Sequence, residues 1–470
     1  MSITSYEDFL AQKRLIVSPS GFEVSIDDTS PAGFDYQRAI VRYGARKGKW
    51  AAFLDTGNGK TLILLDWGRL VSEHTGGDVL ILAPLAVSHQ IAREGEKFGI
   101  PVTVCRDGAD VRPGLNVTNY ERMHRFDTTR FAGVVLDEGS ILKSRDGKTR
   151  NQLLEAFAAT PYKLITTATP SPNDQMELGT YAEFLGVMSY TEMLATFFCH
   201  DGGDTSTWRL KGHAEKDFYR WLASWAVAMR NPADLGYDAS RHTLPSRTRH
   251  QITVAASDDT AARQGTLFPV EAQTLIERRD ARKASLPERV AAAAAIVNAL
   301  PADEKVVIWC NLNAEGDALT AALAGAVQVA GSDTPEHKER AILDFAHGSL
   351  NRIVSKPSVM GFGLNLQACR YAVFVGLSDS FEELYQAERR IWRFGQDRPV
   401  QTWVITSELE GAVIRNIERK EAQHHALMDG LVSHMRAALR AELGATSRMS
   451  DGYQAITPMR LPAWLRSEAA

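Results

Sequence analysis

Between residues 31 and 190, short apolar runs alternate with longer stretches in which apolar positions recur at helical spacing. The runs Trp50–Leu54, Val79–Ala83, Val102–Cys105, Leu115–Thr118, Val134–Leu136 and Leu164–Thr167 are bounded by polar, Gly or Pro residues, and several are apolar throughout. Continuous apolar strands are expected where both faces of a sheet are covered, which predicts a doubly wound parallel sheet. A second alternation begins near Lys305. It predicts strands at Val306–Cys310, Val327–Ala330, Ile353–Ser355, Val373–Val375 and Thr402–Thr406, with helices from Glu315, over Glu336–Phe345 and over Glu382–Trp392. The two halves share this rhythm but are not a strict sequence repeat.

Residues 191–285 read as an inserted helical segment plus linker. Trp221 and Trp225 lie four apart, the spacing that buries one helical face, while Arg241, Arg247 and Arg249 in the basic run that follows are candidates for phosphate contact. After Ser407 a charged, Ala-rich pattern predicts a helix to about Leu443, then a polar tail with Pro458 and Pro462. The expected organisation is a lead-in (1–30), a first sheet domain (31–190), the insertion and linker (191–285), a second sheet domain (286–410) and a helical extension and tail (411–470).

Composition narrows the partners. The chain has 470 residues, enough for several domains at ~100–200 residues each. With 44% apolar and 23% charged residues it is neither a disordered nor a fibrous chain. A net charge of −4 excludes a polycation, so a polyanionic partner must be met by a local basic surface. The four cysteines are far apart and form no CxxC pair, which argues against a disulfide framework or zinc ribbon and fits a reducing cytoplasm. Cys199-His200 with His213 reads as packing near tryptophans rather than as a zinc site. No window holds 18 consecutive apolar residues, and an N-terminus carrying Glu7 and Asp8 lacks the basic-then-apolar order of a secretory signal. A cytoplasmic monomer with no membrane partner is expected.

The strongest local signal is Asp55-Thr56-Gly57-Asn58-Gly59-Lys60-Thr61, which follows an apolar strand and opens a helix. In that context the glycines turn backbone amides inward to cradle phosphate, Lys60 reaches the β/γ-phosphates and Thr61 ligates magnesium. Leu54 stands where the longer form of the motif has its first glycine. Downstream, Val134-Val135-Leu136-Asp137-Glu138 ends a strand in two carboxylates. Asp137 suits the magnesium shell and Glu138 the activation of water, although strand-end acids also serve as helix caps. The third signal, Gln386 through Gln396, places Arg390 and Arg393 three apart, a spacing that puts both on one helical face and within reach of a triphosphate across a cleft. It follows a glycine-rich segment, Gly361 to Gln367.

Taken in order, these segments resemble the superfamily 2 helicases and translocases, particularly the Swi/Snf-like branch and the compact DEAD/DEAH-type helicases of phages and prophages. The resemblance covers roughly residues 31–407. It implies two tandem RecA-like domains that bind ATP and Mg2+ at their cleft and couple hydrolysis to movement along nucleic acid, with double-stranded or branched DNA favoured. Phe34-Asp35-Tyr36-Gln37 resembles the adenine-reading element, with Gln37 as the base contact. The resemblance adds Gly363 to the nucleotide-binding set of Gln37, Gly57, Gly59, Lys60 and Thr61. It also implies that Pro84, Thr118 and Asn119 touch the nucleic-acid backbone and that Thr167, Thr169, Asn365 and Gln386 join in grip and coupling. Three positions depart from the family pattern. Gly139-Ser140 replaces an Ala-His or Gly-His pair, which leaves the usual coupling histidine absent or its role moved to Ser140. Arg389 stands in place of an acid and Trp392 in place of a histidine. A rival of another class is an ATP-switched nucleic-acid-binding remodelling subunit with little hydrolysis; the complete set Lys60, Thr61, Asp137, Glu138, Arg390 and Arg393 argues against it.

Overall fold

The computed structural model describes residues 16–84, 87–143, 147–172, 174–201, 204–255, 275–360 and 365–443. Two parallel sheets organise them. The first contains β1 (Lys49–Leu54), β2 (Asp78–Ala83), β3 (Val102–Val104), β4 (Leu115–Asn119), β5 (Phe131–Asp137), β6 (Tyr162–Thr167) and β9 (Ala226–Met229), in the order β3-β4-β2-β5-β6-β1-β9. The second contains β10 (Arg247–Val254), β11 (Val306–Cys310), β12 (Ala326–Val329), β13 (Arg352–Ser355), β14 (Tyr371–Val375) and β15 (Val400–Ser407), in the order β10-β15-β14-β11-β13-β12. Every pairing in both sheets is parallel. This is the two-domain plan of parallel sheets expected from the sequence. Central strands such as β1, β2 and β11 are buried along nearly their whole length, as strands covered on both faces must be.

The stretch expected to be a helical insertion instead completes both sheets. It holds the helices Glu215–Ala223 and Leu275–Ala284, but also an antiparallel hairpin of β7 (Phe198–Asp201) and β8 (Asp204–Leu210), and it supplies β9 and β10. β9 is four residues long and fully buried, too short for periodicity to separate it from a helix. Trp221 and Trp225 are buried as their spacing predicts, with ring centroids 5.3 Å apart, although Trp225 lies beyond its helix. His200 packs on the Trp208 ring.

The basic run is also explained by packing. On β10, Arg247 and Arg249 bond to the carboxylate of Glu388, which is 1% exposed, and Arg249 also bonds to Glu421. A buried carboxylate needs such partners, so these arginines hold the second sheet's edge rather than meet phosphate.

The C-terminal helix Gly411–Leu443 joins the two units. Val413 and Ile417 belong to the second unit's core, whereas Leu427, Met428, Leu431, Met435 and Leu439 belong to the first unit's. Leu431 is fully buried. Leu431→Ala is expected to cost ~2–5 kcal/mol through lost burial and the cavity left behind. The checking measurement is the denaturant midpoint of the transition that reports the first unit's tryptophans. No helix among the described residues is long and apolar enough to cross a membrane.

Candidate active site

β1 ends at Leu54, and the chain turns through Asp55–Gly59 into the helix Lys60–Thr75. Gly57 and Gly59 have φ of +87° and +71°, a region side chains rarely adopt. A Cβ at Gly59 would lie 2.0 Å from Gln37 Nε2, and one at Gly57 would lie 3.0 Å from the backbone nitrogen of Phe394 in the second unit. The loop is braced by β9, because Asn58 Nδ2 donates to Arg230 O at 2.9 Å and Asp55 N donates to Met229 O at 3.0 Å. Lys60 Nζ donates to Leu54 O at 2.8 Å, beneath the loop.

The helix Lys60–Thr75 starts with no side-chain cap, and the hydroxyl of Thr56 in the loop is buried without a hydrogen-bond partner. An uncapped helix start behind a glycine turn, with a lysine at its first position, is the donor set that phosphate requires. Thr61 and Asp137 carry the oxygen ligands suited to Mg2+. Asp137 ends β5 and accepts from Thr166 Oγ1 at 2.8 Å.

Glu138 follows in the left-handed region with φ of +57°, the one described non-glycine residue with positive φ. Its Oε1 accepts from Thr167 Oγ1 at 3.0 Å and from Gln386 Nε2 at 3.2 Å, so residues from both units fix the carboxylate. Strain of this kind persists only where the surroundings enforce it. These bonds connect the two units through the Glu138 carboxylate, two residues before Ser140. It continues through Thr169, whose amide donates to Thr167 Oγ1 and whose hydroxyl lies 3.4 Å from Glu382 Oε1. Glu382 is in turn paired with Lys143 at 2.5 Å.

Charged groups of the two halves meet in this site. Burial holds the Lys60 ammonium below its ordinary range, opposed by Glu138 and Asp137 and reinforced by Arg390 and Arg393. Burial raises Glu138, with Lys60 opposing the shift. Asp137 is raised by burial as well. Arg390 is lowered to about 9 and Arg393 to about 10, both chiefly by burial. Arg390 feels the charges of Glu138 and Asp137. Cations depressed in this way favour the arrival of a polyanion between them. Glu138→Gln exchanges the carboxylate for an amide of the same shape. It is expected to retain nucleotide and lose ~10²–10⁴ in turnover, checked by pairing equilibrium nucleotide binding with steady-state phosphate release.

The expected helix over Glu382–Trp392 stops sooner. It spans Phe381–Glu388, and Arg390 and Arg393 sit in the turn beyond it rather than on one helical face. The chain tightens there through Ile391 N to Glu388 O, Arg390 O accepts from Leu366 N at 3.0 Å, and Gly395 turns at φ of +90°. Other expected residues also serve the protein's own packing. Gln37 is buried, accepting from Phe34 N at 2.8 Å and donating to Asn58 O at 3.2 Å, so it braces the phosphate loop. Thr118 is buried, and Asn119, also buried, accepts from Arg122 N. Pro84 is half-buried and Asn365 is exposed. Gly363 lies outside the described residues.

Two features were missed in the sequence. A cavity of about 280 Å³ lies beside the loop, lined by Phe34, Tyr36, Tyr237, Arg241 and His242 together with Asp35 and Asp238. The Tyr36 hydroxyl lies 3.1 Å from His242 Nε2 and donates to Asn58 O, connecting cavity and loop. Asp55 bonds across the cleft to Tyr385 and Arg389. Phe34, which opens the Phe34–Gln37 motif, was the available signal for the cavity; of residues 237–242 only Arg241 stood out, as a phosphate candidate and not as a cavity wall.

Residues 291–395 match the family model of the helicase conserved C-terminal domain. The helicase resemblance read from the motifs is thus borne out over the core of the second sheet unit. No curated protein matches the chain. Among solved structures, the Sulfolobus solfataricus SWI2/SNF2 ATPase core in complex with dsDNA aligns over 90% of this chain and 99% of its own, at 16% identity and a TM-score of 0.42.

Proposed function

We propose that the protein is an ATP-dependent DNA translocase or helicase of superfamily 2 that hydrolyses ATP at the cleft between its two sheet units. The observation that carries this reading is the convergence of Lys60, Asp137 and Glu138 from one unit with Gln386, Arg390 and Arg393 from the other. Such a divided site is complete only when the units are together, so a change at the phosphate becomes a change in their spacing.

Lys60 would leave the Leu54 carbonyl for the phosphates, and the loop amides would hold the β-phosphate side. Magnesium held by Thr61 and Asp137 would supply neutralisation of the phosphate oxygens. Glu138, fixed by Thr167 and Gln386, would accept the proton of the attacking water. Arg390 and Arg393 would offset charge on the leaving and transferred oxygens. The cavity lined by Phe34, Tyr237 and His242 offers ring faces for a base beside those phosphates. On the nucleic-acid side, the turn after β4 exposes His124 and Arg125, which suits backbone phosphate and carries no base readout. The preference for DNA rests on the motif resemblance.

The test is steady-state ATPase with single-stranded DNA, duplex DNA, forked DNA and RNA offered separately. Stimulation by duplex or forked DNA at least about tenfold above the level without nucleic acid is expected, lost as salt rises from 50 to 200 mM. Hydrolysis indifferent to all four polymers would overturn the motor reading.

A further inference from the structure

The Asp55 carboxylate is the first group of the phosphate loop, yet its bonds lead out of its own unit. Oδ1 accepts from Thr56 N at 2.7 Å, from the Tyr385 hydroxyl and from Arg389 Nε at 3.2 Å, while Arg389 Nη2 pairs with Oδ2. Arg389 is 4% exposed, and its guanidinium lies 5.6 Å from the Tyr385 ring centre and 4.7 Å from that of Trp392. One residue further on, Arg390 lies within the field of Asp137 and Glu138. Two residues beyond Trp392, the Phe394 backbone closes over Gly57. Two of the three positions that depart from the family pattern, Arg389 and Trp392, thus build one cross-cleft contact.

We propose that Asp55, Tyr385 and Arg389 form a latch that holds the two units together without nucleotide and positions Arg390 and Arg393 over the phosphate loop. Arg389 Nε and Nη2 are committed to the Asp55 carboxylate, Nη1 donates to Trp392 O, and the Tyr385 and Trp392 rings lie beside the guanidinium, so it is a positioning group and not a phosphate ligand. Because the bonds form with the protein's own carboxylate, closure draws on the latch as well as on nucleotide binding. Releasing the latch therefore opens the resting cleft and misplaces the neighbouring arginines, with little effect on ATP's grip by the loop.

The inference rests on the ATPase reading for its kinetic arm only. Dyes placed through Glu96→Cys and Asp303→Cys, both exposed, in a Cys199→Ser background, report the spacing of the units without nucleotide. High energy transfer is expected in the otherwise native chain, and the same lower value in Asp55→Asn, Arg389→Met and the double variant. In the kinetic arm each single variant is expected to lose about tenfold in kcat, with KM for ATP within about twofold. The double variant should lose no more than either single one, because both substitutions break one contact. Unchanged transfer in Asp55→Asn, or a double variant whose losses multiply to about a hundredfold, would overturn the latch. If Arg389→Met fails to fold, Asp55→Asn decides alone. Absence of ATPase in the native chain would overturn the function proposed above and leave the nucleotide-free transfer to decide the latch.

Discussion

Lys60→Ala is expected to reduce ATP hydrolysis to background while the protein keeps its fold. Two effects of one deletion account for the size of the loss. The ammonium is the loop's only side-chain cation, and its present partners are the backbone carbonyls of Leu54 at 2.8 Å and Asp55 at 3.4 Å, which a phosphate oxygen would replace. Its charge also opposes the burial that raises Asp137 and Glu138. Without it both carboxylates shift further toward the protonated form, so Glu138 is less able to accept a proton and, on the proposed mechanism, a phosphate contact is lost as well. The check is phosphate release at saturating ATP beside a thermal melt. Hydrolysis at the native rate would show that the triphosphate lies elsewhere.

Arg390→Ala is expected to lower kcat by ~10³–10⁵, the range found for an arginine that offsets charge in phosphoryl transfer, with nucleotide affinity changed by only a few-fold. Arg390 is 6% exposed and donates to Gln386 Oε1 at 3.1 Å, the same glutamine whose Nε2 holds Glu138. Its removal therefore also loosens the hold on the Glu138 carboxylate. A defect confined to affinity would assign Arg390 to ground-state binding and remove it from the transition state. Single-turnover hydrolysis compared with nucleotide titration separates the two.

The strands of both sheets were legible because their apolar runs are short, continuous and bounded by turn residues. The observed ends extend beyond the apolar cores, as in β5, where Phe131–Asp137 replaces an expected Val134–Leu136. β9 and β10 were not legible. One is four residues long; the other opens on alternating basic and polar residues, and its half-buried Arg247 and Arg249 are held by pairing with Glu388 rather than by hydrophobicity. The phosphate loop and acidic strand end were readable because their chemistry is local. Sequence spacing also singled out Arg390 and Arg393, but it assigned them to a helix that ends at Glu388. The destinations of Asp55, Gln37 and Arg389 depend on how distant segments meet, and no local pattern encodes that. Gln37 shows the limit most plainly, since its motif gave no sign that the side chain also bonds Phe34 and Asn58.

The central claim is that one triphosphate is held by both sheet units at once. An ATP analogue bearing a photoreactive group on its γ-phosphate, irradiated with the native protein and followed by peptide mass mapping, tests it most directly. The account predicts crosslinks to the segment containing residues 55–61 and to the segment containing residues 386–396, both competed by ATP. Labelling confined to one unit, at saturating analogue, would contradict it.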